Sequence, residues 1–306
     1  MTDSTATTGG GAGARRLPRP GRRFRFAPYA YVAPALVLYG AFMLWPLGRA
    51  ARYSFFEWDG LGDATFAGLD NYRDILHDDR LHEAFRHAFV LIFFFSILPV
   101  VIGLVLAAFL SRSHVRGLGF FRSVIFLPQV IAMVVVAVTW RQIYAPDGPL
   151  NTLLRLVGLD RFARPWLGDY TWTLPAVGLV GTWVSTGLVT VLLMAGMSKV
   201  PKELYEAARL DGAGFVREFF AITLPSVRGE VTVALTLTIV AALKTFDLVY
   251  VTTSGGPGTS TTVPSYEVYR RAFELGEVGS AAAIGIVLTL VVFAINAVVN
   301  LIGNRR

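Results

Sequence analysis

The chain has 306 residues, of which 54% are hydrophobic and 16% are charged, and its mean hydropathy is +0.55. Soluble domains carry about 25% charged residues, so this composition indicates a membrane protein. The chain has no cysteine, which excludes disulfides, thiolate metal sites and cysteine nucleophiles. The net charge of +7 does not indicate nucleic-acid binding, because no basic face with interleaved aromatic residues occurs outside the N-terminal tail.

The first 25 residues are mostly Thr, Ser, Gly, Ala, Pro and Arg, with few large apolar side chains. Such a segment cannot bury enough surface to offset the entropy lost on ordering. It also does not resemble a signal peptide, because the apolar run that follows is long enough to span a membrane. We predict a disordered, basic tail over residues 1–25.

The remainder, residues 26–306, contains six stretches that are nearly free of charge and long enough to cross a bilayer. A span needs roughly 20 apolar residues, and only helices satisfy the backbone of such a segment in lipid. We therefore predict an all-α, polytopic membrane protein with six transmembrane helices. The predicted spans are about 28–48, 87–111, 122–143, 171–197, 229–252 and 278–303.

The distribution of Arg and Lys predicts the orientation of these spans. With the N-terminus inside, the inner segments carry 16 basic and six acidic residues, whereas the outer segments carry 11 basic and 14 acidic residues. Basic residues are enriched in cytoplasmic connections. Both termini and the connection 198–228 are therefore expected in the cytoplasm.

The largest outer connection, about 49–86, contains a helical pattern in which Asp70 is expected to cap a helix. His77 and His82 lie near several carboxylates. Their spacing does not place two ligands on one helical face, so we interpret this segment as a solvated helix rather than a metal site.

The inner connection 198–228 has a pattern that a simple loop would not need. Pro201 and Glu203 suit the first turn of a helix. Gly212 and Gly214 predict a bend, a second apolar helix follows, and Pro225 is expected to end it. Periodicity alone leaves two interpretations open: an amphipathic helix lying on the inner leaflet, or a surface that binds another protein.

Within this connection, residues 206–225 resemble the EAA signature of permease subunits of binding-protein-dependent ATP-binding-cassette importers. The matching residues are Glu206, Ala207, Ala208, Asp211, Gly212, Ala213, Phe219, Ile222, Leu224 and Pro225. The resemblance implies a cytoplasmic coupling helix that docks on an ATPase subunit. The ATPase-coupling residues expected from it are Glu206, Ala207, Ala208, Asp211, Gly212, Ala213, Gly214 and Phe219.

Other segments are similar to the carbohydrate-uptake group of these permeases, which includes the maltose and glycerol-phosphate systems. They are residues 66–76, 120–130, 148–154 and 249–273. His87 departs from this pattern, since relatives commonly carry an asparagine there. The resemblance covers about 25–303 and implies one permease domain over 26–306.

Two helical faces are candidates for the substrate route. Small or polar residues recur at helical spacing in the fourth and fifth spans, and by resemblance they align with substrate-lining positions. Close helix packing explains the same pattern equally well. Lys244 and Asp247 are expected to pair at spacing i, i+3, either structurally or as part of a gate. The candidates are Trp183, Ser185, Leu188, Thr238, Ala242, Thr245, Lys244 and Asp247.

The expected function is that of the membrane subunit of an ATP-driven importer of a sugar or sugar-like solute in a bacterial cell membrane. No GxxxxGK[ST] phosphate loop occurs, so ATP hydrolysis is expected in a separate subunit, and no cofactor or metal is expected. The resemblance implies a second permease subunit, two ATPase subunits, an extracellular solute-binding protein and membrane lipid as partners. Alternatives are a secondary transporter, an intramembrane enzyme or a membrane scaffold without a substrate.

Overall fold

A computed structural model describes residues 27–112 and 117–303. The predicted tail, residues 1–25, lies outside the described residues. The all-α prediction is confirmed, and the described residues form only one small sheet. Its strands, β1 (Phe56–Glu57) and β2 (Thr65–Phe66), are antiparallel, with Phe56 opposite Phe66.

The described residues form two separate units, which divide between Gly48 and Arg49. In the first unit, α1 (Ala27–Tyr39) continues through a π-helical turn (Gly40–Leu44) into α2 (Trp45–Tyr53), which ends in the second unit. The side chains of residues 31–48 are exposed or half-buried. Residues 31–48 carry no charged side chain, as expected of a segment whose surroundings are lipid or another protein.

Among the described residues, four helices are long and apolar enough to cross a membrane. Up to six spans result if each of two bent pairs, within 118–143 and 215–243, counts as one. The second span is longer than predicted. It comprises α4 (Asp79–Ile92), a π-helical turn (Phe93–Ile97) and α5 (Leu98–Arg112). The fourth and sixth spans, α9 (Thr173–Met197) and α16 (Val278–Gly303), lie close to their predicted bounds.

The third predicted span is not one helix. It is divided into α6 (Leu118–Val130) and α7 (Met133–Ile143), which meet at 95°. Pro128 lies in the last turn of α6, and the two residues after that helix, Ile131 and Ala132, have extended backbone torsions. Proline has no amide donor, so Pro128 cannot bond to the carbonyl of Val124, which weakens the last turn of α6 before the break.

The fifth predicted span, 229–252, is also interrupted. Helix α13 (Arg228–Leu243) is capped by Lys244, and a shorter helix, α14 (Asp247–Thr252), follows and packs against α7. Other short helices occupy the connections. They are α3 (Asp70–His77), α8 (Pro149–Leu156), a 3₁₀ turn (Asp160–Phe162), α10 (Lys202–Leu210), α11 (Phe215–Glu218), a π-helical turn (Phe219–Thr223), α12 (Leu224–Ser226), α15 (Pro264–Tyr269) and a π-helical turn (Arg270–Glu274).

Helix α9 lies at the centre of the second unit, where it packs against α5 and α6. Three glycines allow this approach. A Cβ at Gly178 or Gly181 would clash with the Phe94 or Phe95 ring, and one at Gly187 would clash with the backbone oxygen of Ile125. Small residues commonly permit such close contact between membrane helices.

A buried ionic network joins α4, α15 and α16 at the end opposite to connection 198–228. The carboxylate of Glu267 is fully buried and accepts hydrogen bonds from Arg80 Nε (2.6 Å) and Arg270 Nη2 (3.0 Å). Arg271 bonds to Asp78 and to the Ser280 hydroxyl (2.7 Å). These contacts connect residues far apart in sequence, so they fix the connections at this end relative to the last span.

The cap predicted for the first outer helix is wrong in position. Leu69 occupies the N-cap of α3 and makes no side-chain cap, while Asp70 is the first helical residue. Asp78 performs this role for the next helix, because its Oδ1 accepts from Arg80 N (2.9 Å) and Leu81 N (3.2 Å). A short Asx cap of this type satisfies amides that have no partner within the helix.

Candidate coupling elbow and transport route

Residues 198–228, called the elbow below, form two helical arms joined by a tight turn. The first arm is α10, and the second runs from α11 through the π-helical turn to α12. The predicted pair of helices is confirmed. Two details differ: Pro201 is the N-cap rather than part of the first turn, and Pro225 lies inside α12 rather than after the second arm.

The turn between the arms depends on Gly212. Its φ is +78°, a left-handed conformation that side-chain-bearing residues rarely adopt. The sequence predicted a bend at Gly214 as well. Its φ is −79°, however, which residues with a side chain also adopt, so the backbone does not require a glycine there. The amide of Gly212 donates to Arg209 O (3.0 Å), and the amide of Ala213 donates to Ala208 O (2.8 Å). These bonds close the first arm in the manner of a glycine C-cap.

Two side-chain contacts brace the arms across the turn. Arg209 Nε donates to Glu218 Oε1 (2.9 Å), and the Tyr205 and Thr223 hydroxyls are 3.1 Å apart. Glu218 is buried, so its ion pair with Arg209 is less screened than a surface pair. These two contacts hold the arms at a defined angle.

The elbow contacts the spans on one side and presents apolar side chains on the other. Phe219 packs against the cluster that contains Met194, Met197 and Val227. By contrast, Leu210 is 90% exposed and Val216 is 65% exposed. Of the predicted coupling residues, Glu206, Ala207, Asp211, Gly212 and Gly214 are exposed, Ala208 and Ala213 are half-buried, and Phe219 is the anchor just described.

The predicted route residues lie mainly inside the second unit. Ser185 is 7% exposed and Thr238 is 2% exposed, and Thr245 and Ala242 are also buried. The Thr238 hydroxyl bonds to the Ser96 hydroxyl (2.6 Å) and donates to Ala234 O (2.8 Å). Its polar capacity is therefore used in joining the second and fifth spans.

Two other route candidates lie at the edge of this region. Trp183 is 42% exposed, and its ring packs against that of Trp140 at a centroid distance of 5.6 Å. Leu188 is half-buried one turn further along α9.

The predicted pairing of Lys244 with Asp247 is wrong. Helix α13 ends at Leu243 and α14 begins at Asp247, so the two residues do not share one helix. Both are exposed, and no ion pair joins them within the described ranges. The prediction assumed a continuous helix, and the break at 244–246 removes the i, i+3 relation on which it depended.

Sequence reasoning missed two elements of the outer end. Glu267 and Arg80 are separated by 187 residues, and no local pattern signals their contact. His87 was identified only as a departure from the family pattern. It is buried, and its Nδ1 lies 2.9 Å from Thr262 O, which joins α4 to the loop before α15.

Comparison with known proteins assigns this arrangement to a family. The family model for the binding-protein-dependent transport system inner membrane component matches residues 86–306. The probable ABC transporter permease protein YurN of Bacillus subtilis (strain 168) is 38% identical, over 89% of this chain and 94% of its own. The diacetylchitobiose uptake system permease protein NgcF of Streptomyces coelicolor is 35% identical, over 89% of this chain and 81% of its own.

A further relative is the sn-glycerol-3-phosphate transport system permease protein UgpA of Escherichia coli O6:K15:H31. It is 32% identical, over 92% of this chain and 95% of its own. Among solved structures, a chain of a bacterial ABC transporter involved in the import of the acidic polysaccharide alginate has the same fold. The TM-score is 0.79 at 21% identity, with 92% of this chain and 96% of that chain covered. This multi-pass membrane protein belongs to the family of inner-membrane components of binding-protein-dependent transport systems.

Proposed function

We propose that the chain is a permease subunit of an ATP-driven importer of a sugar or sugar-like solute, with both termini in the cytoplasm. Relatives named for diacetylchitobiose and sn-glycerol-3-phosphate uptake support this substrate class. The excess of basic residues in the connections on the elbow side supports the orientation. The proposed partners are a second permease subunit, two ATPase subunits and an external solute-binding protein.

The main support for coupling to an ATPase subunit is the elbow, whose arms are braced against each other and whose outer surface is exposed. An apolar surface that includes Leu210 and Val216 suits docking into a cleft of another protein. The two braces keep the arms fixed relative to each other, and Phe219 connects them to the spans. Movement of a docked ATPase would therefore tilt the attached spans and alternate access between the two sides of the membrane.

Reversing one exposed charge tests the docking. We expect Glu206→Lys to lose copurification of the ATPase subunits and to abolish uptake, because interfacial charges of the wrong sign cost roughly 2–5 kcal/mol or more. Glu203→Lys, on the same exposed arm but outside the matched signature, is the control. Both variants should reach the membrane in normal amounts. Wild-type copurification and uptake by Glu206→Lys would contradict the proposal.

We also propose that the faces of α9 and α13 that carry Ser185 and Thr238, with Thr245 beyond them, border the solute route. Trp183 is the proposed stacking surface. The three hydroxyl-bearing residues are buried, and the Thr238 hydroxyl bonds to Ser96 where the second and fifth spans meet. Polar side chains are costly in the interior of a membrane, so their presence supports a role there.

Side-chain replacements test this route. Ser185→Ala and Thr245→Val remove a hydroxyl without adding bulk, and we expect about a fivefold increase in the KM for uptake from the loss of roughly 1 kcal/mol of hydrogen bonding. Ser185→Leu and Thr245→Leu should block uptake more strongly. Thr289→Leu on α16 is the control. Unchanged uptake and solute preference in all four variants would remove the assignment, provided that their membrane abundance is normal.

A further inference from the structure

A cavity of about 450 Å³ lies between the first arm of the elbow and the adjacent ends of the spans. Helices α5, α6 and α9 contribute the apolar side of its lining, and the charged side comes from α10 together with one residue of α6. The apolar side consists of Ala108, Leu118, Met194 and Met197. A cavity that is apolar towards the membrane and charged towards the cytoplasm fits an amphipathic ligand.

The charged side of the cavity has an excess of cations. Arg122, Lys202 and Arg209 line it together with one carboxylate, Glu206. Arg209 is already paired with Glu218. Arg122 and Lys202 are exposed and form no ion pair in the part of the chain that the structure describes. Two cationic groups on different helices therefore line one cavity that has a single carboxylate, and neither is ion-paired with it within the described residues.

We propose that this cavity binds the phosphate headgroup of an anionic phospholipid from the inner leaflet. Basic pockets between membrane helices on the cytoplasmic side bind such headgroups. The phosphate would contact Arg122 and Lys202, and the glycerol and first acyl carbons would cover Met194 and Met197. The Glu206 carboxylate in the same wall repels anions. It should therefore disfavour free inorganic phosphate more strongly than a phosphodiester, which has only one negative charge.

The position of the cavity gives the lipid a role in coupling. Lys202 belongs to the first arm of the elbow and Arg122 belongs to α6, so a phosphate held by both would tie the elbow to a span. This contact would add to the braces within the elbow and to the anchor at Phe219. The inner-leaflet assignment rests on the orientation given in the proposed function, whereas the binding itself is measured on the chain alone.

The test is lipid retention by the full-length chain, purified in detergent and measured by native mass spectrometry. Phosphatidylglycerol and phosphatidylcholine are supplied in equal parts as competing probes. We expect preferential retention of one phosphatidylglycerol. Arg122→Gln and Lys202→Gln should each weaken its retention about fivefold, since one basic residue near the lipid surface contributes about 1 kcal/mol.

Arg217→Gln is the matched control, because Arg217 is an exposed basic residue of the elbow that does not line the cavity. Equal retention of the two lipids, or an equal loss in the control, would overturn the site. Displacement of the lipid by inorganic phosphate at equal concentration would also overturn it, by assigning the cavity to a free anion. Lipid retention is measured on the chain without ATPase subunits. A failure of the coupling proposal would therefore leave this result unchanged, and the two failures can be told apart.

Discussion

Replacement of Gly212 by proline is expected to abolish solute import while leaving the chain in the membrane. Gly212 has φ +78°, and its amide donates to Arg209 O. Proline fixes φ near −65° and has no amide hydrogen, so it can adopt neither the torsion nor the bond. The turn must then rearrange, which displaces the second arm relative to the first and separates the Arg209–Glu218 brace. Uptake into cells or proteoliposomes, normalised to membrane abundance, measures the effect.

Two substitutions serve as controls for this prediction. Gly214→Ala should retain import, because φ −79° at that residue is accessible to alanine. Gly212→Asn should retain more import than Gly212→Val, since asparagine tolerates the left-handed region that costs other residues about 1–2 kcal/mol. No atom outside the turn lies within 4 Å of a Cβ at Gly212, so steric crowding does not confound the series. Normal import by Gly212→Pro would show that the turn geometry is not required for coupling.

Neutralisation of Glu267 is expected to lower the stability of the second unit by about 3–5 kcal/mol, the usual cost of breaking a buried ion pair from one side. The fully buried carboxylate balances Arg80 and Arg270, and Arg271 approaches it at 4.0 Å. In Glu267→Gln these guanidinium groups lose their shared buried counter-charge, and Asp78 alone offsets Arg271. The free energy of unfolding in detergent, measured by denaturant titration, should fall accordingly.

Glu274→Gln is the control, because Glu274 is an exposed acid on the same segment. It should change the free energy of unfolding by less than about 0.5 kcal/mol, as is usual for surface substitutions. If Glu267→Gln unfolds under the same conditions as the wild-type chain, the ionic network does not stabilise the outer connections.

The helical class of the apolar segments could be predicted because apolar length is a local property of the sequence. Bends could not, because they depend on how neighbouring segments pack. Pro128 was visible in the sequence, yet many membrane helices contain proline without a 95° change of direction. The short break at Lys244–Phe246 carries no proline or glycine signal at all, so the predicted pairing across it was wrong.

The elbow was the best-predicted part of the candidate site. Its first helix, glycine turn and second helix follow one another within about twenty-five residues, so their signals are local in the sequence. The braces were not predicted, since pairing Arg209 with Glu218 requires knowing the angle of the turn. The route residues illustrate the opposite problem. Helical spacing placed Ser185 and Thr238 on faces that are buried, but spacing alone does not distinguish a face that meets solute from one that meets another helix.

The break between α6 and α7 has a consequence for hydration. Every helix end leaves amides or carbonyls without intrahelical partners, and hydrocarbon tails offer them none. At residues 131–132 the C-terminal end of α6 meets the N-terminal end of α7, inside the segment predicted as the third span. This depth of the assembled transporter must therefore be lined by water or sealed by another polypeptide, and bare lipid cannot lie against it.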